Sequence, residues 1–244
     1  MPPTCSETNK PPALAGDEAH IWSVPLDDPR ITWTKLMAVL AADERERAER
    51  FRLDDARRRF VTARAALRRL LGEYLQMSPA EVAFDYDANG KPRLKHSAEA
   101  FNLQFNLAHS GELALVAVAR GCEVGVDVER LREVNHWREI AERYFHPREL
   151  DEIVASPPAE QLAAFMRCWT GKEAVLKALG TGVTRPLDFF VGDSQPDAGT
   201  WLDVPAAAGS TARCWLLPLA PAADYIGAMA SVGAQRRPRC FALL

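Results

Sequence analysis

The chain of 244 residues has little cysteine, no long apolar run and almost no net charge. No stretch approaches the ~18 consecutive apolar residues of a membrane span, and the opening MPPTCSETNKPPALAGDEAH lacks the basic and apolar segments of a secretory leader. The five cysteines (Cys5, Cys122, Cys168, Cys214, Cys240) are scattered singly, without a C-x-x-C pair. That excludes a disulfide framework or a zinc site and leaves reduced, buried thiols as the expectation. With 30 basic and 33 acidic side chains, the net charge of -3 exerts no global pull on nucleic acid or an anionic membrane. A cytoplasmic protein that binds neither is expected, and any affinity for anions must be local.

What is present suffices for a core: 48% of residues are hydrophobic, in a length that suits one large domain or two small ones. Residues 1–18, rich in Pro, Ser and Thr, read as a disordered tail before a first strand at HIWSVPL. From Asp43 a long helical pattern runs through Phe60, Ala63, Leu67, Leu70 and Tyr74 at spacings of three and four. EVAFDYDANGKPRL predicts a hairpin around Asn89-Gly90. The run from Phe101 to Arg130 predicts three strands in an antiparallel meander. A helix from Pro147, a break at Ser156-Pro157-Pro158 and a longer helix ending at Gly180 and Gly182 follow. RPLDFFVGD, RCWLLPLA and YIGAMAS then predict strands.

FVTARAALRRLLG (60–72) aligns with CWTGKEAVLKALG (168–180) at a constant offset of 108 residues. Thr62/Thr170, Ala66/Ala174, Leu71/Leu179 and Gly72/Gly180 are identical, and Arg64/Lys172 and Arg69/Lys177 keep their charge. This predicts an internal duplication. Ala65 in the first copy corresponds to Glu173 in the second.

Four short stretches carry candidate chemistry. In GVDVER, strand alternation sends Val124, Val126 and Val128 to a core, and Gly125, Asp127 and Glu129 to the opposite face. The two carboxylates then lie about 7 Å apart, close enough to serve one hard cation, and Gly125 leaves room for a ligand to approach. In WTGKEAVLKALG, Glu173 and Lys177 share a helix face with Trp169 behind them. FNLAHSGE places His109 and Ser110 beside a tight turn whose amides suit a phosphate. NGKPRL sets Lys91 just after a turn, with Arg93 beyond it, and Arg52, Arg59 and Arg64 stand on an arginine-rich helix. Taken singly, each also reads as ordinary solvated acids, a helix-stabilising Glu-Lys pair, a structural histidine or a charged helix face.

In their order NGKP, FNLAHS, GVDVE and WTGKEAVLKALGTG, these motifs resemble the 4'-phosphopantetheinyl transferase family, specifically its double-length type that activates surfactin synthetase. The resemblance runs from about ERERAERF to PLDFF. It implies an α+β fold of two similar pseudo-twofold halves, each a small antiparallel sheet packed with helices, with the active site in the cleft between them. It divides the chain into an N-terminal half at 19–120, a C-terminal half at 121–235 and a short tail at 236–244. It also implies Mg2+ (or Mn2+) held by Asp127, Glu129 and Glu173, and coenzyme A contacted by Arg52, Arg59, Lys91, Pro92, His109, Ser110 and Lys177. Lys91 would lie near the adenosine 3'-phosphate and Lys177 near the pyrophosphate. Ala108 stands where the family commonly has Ser.

The implied reaction is transfer of 4'-phosphopantetheine from coenzyme A to a serine of an apo acyl or peptidyl carrier protein, releasing 3',5'-ADP. Either Glu173 or Lys177 takes the serine proton. The carrier would be an acidic helical domain in fatty acid, polyketide or nonribosomal peptide synthesis, and the double length implies a monomer. The rivals are a magnesium-dependent nucleotide phosphohydrolase and a non-catalytic module that binds carrier proteins or coenzyme A.

Overall fold

Along LALVAVAR (113–120) both the odd and the even positions are apolar, and the fold buries both. A computed structural model describes residues 6–8, 10–28, 32–95, 102–181, 187–189, 191, 199–205 and 210–243. The element order is β1 (Ser6–Glu7), β2 (Glu18–Pro25), α1 (Trp33–Val39), α2 (Ala42–Glu49), α3 (Asp54–Leu75), β3 (Phe84–Tyr86), β4 (Pro92–Leu94), β5 (Leu103–Ser110) and β6 (Leu113–Arg120). It continues with β7 (Val124–Arg130), α4 (Trp137–Tyr144), α5 (Pro147–Ala155), α6 (Gln161–Leu179), β8 (Thr200–Pro205), β9 (Thr211–Ala222), β10 (Tyr225–Val232) and β11 (Arg237–Ala242). No helix among the described residues is long and apolar enough to cross a membrane.

A five-stranded sheet (β1-β11-β2-β6-β5) and a four-stranded sheet (β7-β10-β9-β8) pack face to face. Leu115, Ala117 and Ala119 of β6 meet Val124, Val126 and Val128 of β7 between the sheets. Val116 and Val118 point the other way, against Ala63, Leu67 and Leu70 of α3. On the far side Ala174, Val175 and Ala178 of α6 cover Leu216, Ala228 and Ala230. The layers therefore run α3, sheet, sheet, α6. Strands buried on both faces read as continuous apolar runs.

The two halves share a topology. Each has a strand, a helical segment and two further strands, paired in the order first, last, middle: β2-β6-β5 and β7-β10-β9. They also share a buried device. Glu44 in the first turn of α2 accepts from its own N-cap amide, Ala41 N, at 3.0 Å and pairs with Arg64 at 2.7 Å and Arg68 at 2.5 Å. Glu149 in the first turn of α5 accepts from His146 N at 2.9 Å and pairs with Lys172 at 2.8 Å. Arg64 and Lys172 are the residues matched at the offset of 108. Arg64 is thereby an internal strut, which corrects its reading as a possible anion ligand.

Several sequence expectations are revised. The helix read from Asp43 is two helices, because Glu44 must fold back onto Arg64; in one continuous helix they would be about 30 Å apart. The third strand of the predicted meander, β7, stays beside β5 but takes its main-chain pairing from β10, since its valines bury against the first sheet rather than extend it. The final segment, read as a tail, holds β11, which lies parallel to β2 with Phe241 stacked on Trp22. The opening tail contributes β1, parallel to β11. The β3–β4 hairpin and the Gly180 cap of α6 (φ 68°) are as read, whereas Gly182 and most of RPLDFFVGD lie outside the described residues.

Lys172 and Glu149 are both wholly buried, and Lys172 also donates to the carbonyls of Leu187 and Phe189. Removing one partner of such a pair strands the other charge in the core. Lys172→Met is expected to lower unfolding free energy by about 3–5 kcal/mol, read from the urea midpoint.

Candidate functional site

The site begins at a glycine. A Cβ added to Gly125 would sit 2.1 Å from Ala174 O and 2.3 Å from Ala178 N, so the backbone of α6 rests directly on β7. The expectation that Gly125 leaves room for a ligand is thus corrected: the helix fills that space. The close approach brings Lys177 Nζ within 2.6 Å of Asp127 Oδ1. Asp127 is 5% exposed, and its second oxygen, Oδ2, is buried without a hydrogen-bond partner. Glu173, one turn before Lys177, likewise has a buried, unpartnered Oε1.

Electrostatics bind these groups into one cluster. Burial pushes the Asp127 carboxyl up to about 6; Lys177 opposes the shift, and the nearby charges of Glu129 and Glu173 add to it. Glu173 is raised by burial, again with Lys177 opposing and Glu129 reinforcing. Two acids pushed toward neutrality beside a cation lack positive charge, which a hard divalent ion would supply.

Strand β5 runs beside the free edge of β7. Asn106 Oδ1 accepts from Val126 N at 2.9 Å, and Ser110 Oγ donates to Glu129 Oε2 at 2.7 Å while accepting from Arg130 N at 3.2 Å. These side-chain links carry His109 and Ser110 to the acids. His109 is held below the usual imidazole range, first by desolvation and then by Lys177, with Arg59 and Arg47 contributing and Glu129 opposing. The structure therefore gathers Asp127, Glu129, Glu173, Lys177, His109 and Ser110. Ser110 spends its hydroxyl hydrogen on Glu129 and so orients that acid.

The remaining expected residues are placed differently. Arg59 makes a two-oxygen contact with Asp27, its shorter arm 2.9 Å, which raises its pKa further. Arg52 is exposed in the link between α2 and α3. Pro92 opens β4 and is half-buried. Lys91 departs from the expectation of a phosphate contact: its ammonium donates to Lys177 O at 2.7 Å, Glu123 Oε2 at 3.1 Å and Val124 O at 3.2 Å. Three groups escaped the sequence reading. Glu123 binds both Lys91 and Arg93, Asn106 links β5 to β7, and Arg47 lines a groove of about 620 Å3 with Arg50, Phe51 and Tyr86. The alternating charges of ERERAER were the available signal for Arg47. A larger cavity of about 910 Å3, between residues 10–14 and the end of α3, is lined by none of the site residues.

Asp127, Glu129 and Glu173 offer hard oxygen donors of the kind Mg2+ takes, and the two orphaned carboxylate oxygens fit that role. Among the described residues no group of three or more His, Cys, Asp or Glu is arranged to hold a metal as it stands, so these acids would have to draw together around an ion. Lys177 and His109 supply donors for anionic oxygens beside them.

Residues 123–230 match the model of the 4'-phosphopantetheinyl transferase superfamily, and residues 27–121 match that of 4'-phosphopantetheinyl transferase, N-terminal. The chain is 38% identical to the 4'-phosphopantetheinyl transferase HetI of Nostoc sp., over 94% of this chain and 95% of that protein. It is 30% identical to the 4'-phosphopantetheinyl transferase psf-1 of Bacillus pumilus, over 74% of this chain and 76% of the other. Its identity to the 4'-phosphopantetheinyl transferase Sfp of Bacillus subtilis is 26%, covering 70% and 74% respectively.

Two stability measurements test the geometry. The folded-state value of Asp127, about 6, lies above its ordinary value of 3.8. The contribution of the carboxyl is therefore complete below about pH 4 and is lost as pH rises through about 6. Asp127→Asn is expected to raise the melting temperature at pH 8 and to match the parent near pH 4. Gly125→Ala, which forces strand and helix apart, is expected to cost at least about 1–3 kcal/mol in urea unfolding.

Proposed function

The chain belongs to the 4'-phosphopantetheinyl transferase superfamily, and on that premise we propose that it transfers the 4'-phosphopantetheine group of coenzyme A to a serine of an apo carrier protein. The serine oxygen forms a bond to the β-phosphorus, the bond from that phosphorus to the bridging oxygen breaks, and 3',5'-ADP leaves with the electron pair. The observation that carries this reading is the pair of buried, unpartnered carboxylate oxygens of Asp127 and Glu173 beside Lys177.

Asp127, Glu129 and Glu173 would hold Mg2+, which when bound supplies positive charge to the phosphate oxygens. Lys177, released from Asp127, donates to the pyrophosphate, and His109 donates to a neighbouring phosphate oxygen. Arg47 and Arg59, whose charges reach His109, flank the adenosine end together with Arg52 and the Gly90-Lys91-Pro92 turn. Glu173 takes the serine proton on the carboxylate oxygen not given to the ion, its carboxyl being raised above the ordinary value by burial. Preorganised charge of this kind supplies most of the catalysis in phosphoryl-type transfer. The double-length chain would work as a monomer on a carrier that is an acidic helical domain.

The test is the intact mass of an apo carrier protein after incubation with this protein, coenzyme A and Mg2+. A gain of about 340 Da, from serine modification, that EDTA removes is the expected result, and Asp127→Ala or Glu173→Ala should abolish it with the circular dichroism spectrum retained. Release of 3',5'-ADP without a carrier would point instead to a phosphohydrolase. Coenzyme A binding without any mass gain across several carriers would point to a binding module.

A further inference from the structure

The β3–β4 hairpin belongs to the first half of the chain, yet its turn is fastened to the second. Asp87 Oδ1 accepts from the amides of Asn89 and Lys91, each at 2.9 Å, and Gly90 takes φ 81°, so the turn builds itself. It presents two side chains to the C-terminal end of α6. Asn89 Nδ2 donates to Gly180 O at 2.7 Å, and Lys91 Nζ donates to Lys177 O at 2.7 Å. The other two ammonium hydrogens of Lys91 have acceptors in Glu123 Oε2 and Val124 O, and its side chain is 9% exposed.

An ammonium has three donors, and none is left for a phosphate. Two of its acceptors are main-chain carbonyls of the elements that carry the site: Val124 opens β7, and Lys177 lies in the last turn of α6. Among the described residues, Lys177 O otherwise accepts only a long 3.3 Å bond from the cap amide Gly180 N, and a cation at a helix C-terminus is favourable. The clamp sits where Gly125 touches Ala174 and Ala178, next to the Asp127–Lys177 contact.

We propose that Lys91 is a positioning residue for the transfer reaction, acting from the first half of the chain to set α6 against β7 and thereby Glu173 and Lys177 against Asp127 and Glu129. This rests on the transferase reading above. It differs from the role implied by family resemblance, in which Lys91 meets the adenosine 3'-phosphate. A guanidinium serves a phosphate at least as well as an ammonium, but it does not fit a pocket formed by two carbonyls and one carboxylate.

The experiment measures steady-state transfer to an apo carrier from coenzyme A and from 3'-dephospho-coenzyme A, for the parent, Lys91→Met and Lys91→Arg. Both variants are expected to lose about 10- to 100-fold in kcat, with KM for coenzyme A within about twofold, as for a misplaced catalytic group. The parent's preference for coenzyme A over the dephospho form should persist unchanged. Full kcat in Lys91→Arg, or loss of that preference in Lys91→Met, would overturn the proposal in favour of a phosphate contact. If circular dichroism shows that the Lys91 variants do not fold, Asn89→Ala removes the other tie to α6. A severalfold fall in its kcat with the preference intact is expected, and an unchanged kcat would overturn the proposal. A parent that neither binds coenzyme A nor modifies any carrier is a separate failure, which removes the transferase reading and this inference with it.

Discussion

The contact of one helix backbone with one strand backbone governs the rest of this structure. At Gly125 there is no side chain, and Ala174 and Ala178 of α6 occupy the place a Cβ would take. Neighbouring positions on that face inherit the spacing. Asp127 is buried by the helix and meets Lys177, Glu173 is brought to the same place, and both acids are left with an oxygen that nothing in the protein satisfies. Burial that would be a defect in a purely structural strand is the observation on which the proposed cation site rests.

The duplicated design separates support from chemistry. In each half an acid in the first turn of one helix caps that helix and grips a base on the long helix that follows: Glu44 with Arg64, and Glu149 with Lys172. These pairs hold each long helix in its half. The next position then distinguishes the halves, with Ala65 fully buried in α3 and Glu173 offered to the site in α6. One copy keeps a plain core while the other accepts the cost of buried carboxylates. Such concentration of unsatisfied charge is where stability is exchanged for function.

Much of this was legible in sequence because it is local. Alternation in VGVDV assigned the valines to the core, Asn89-Gly90 marked the hairpin, and the four-residue spacing put Glu173 and Lys177 on one face. The offset of 108 anticipated a repeated topology. What was not legible depends on partners far along the chain. Nothing near Gly125 says that a helix some fifty residues later will cover it. The break between α2 and α3 follows from Glu44 reaching Arg64, and the loss of β7 from the meander's ladder follows from its pairing with β10. The stretch NGKP shows a basic residue at a turn but not the carbonyls of Val124 and Lys177 that surround the Lys91 ammonium.

The measurement that bears most directly on the account is anomalous diffraction from crystals grown with Mn2+ and coenzyme A. The account predicts one manganese peak bonded to oxygens of Asp127, Glu129 and Glu173, with the coenzyme A pyrophosphate against it and Lys177 swung from Asp127 onto a phosphate oxygen. A manganese peak away from these three acids, or coenzyme A bound with Lys177 still paired to Asp127, would contradict it.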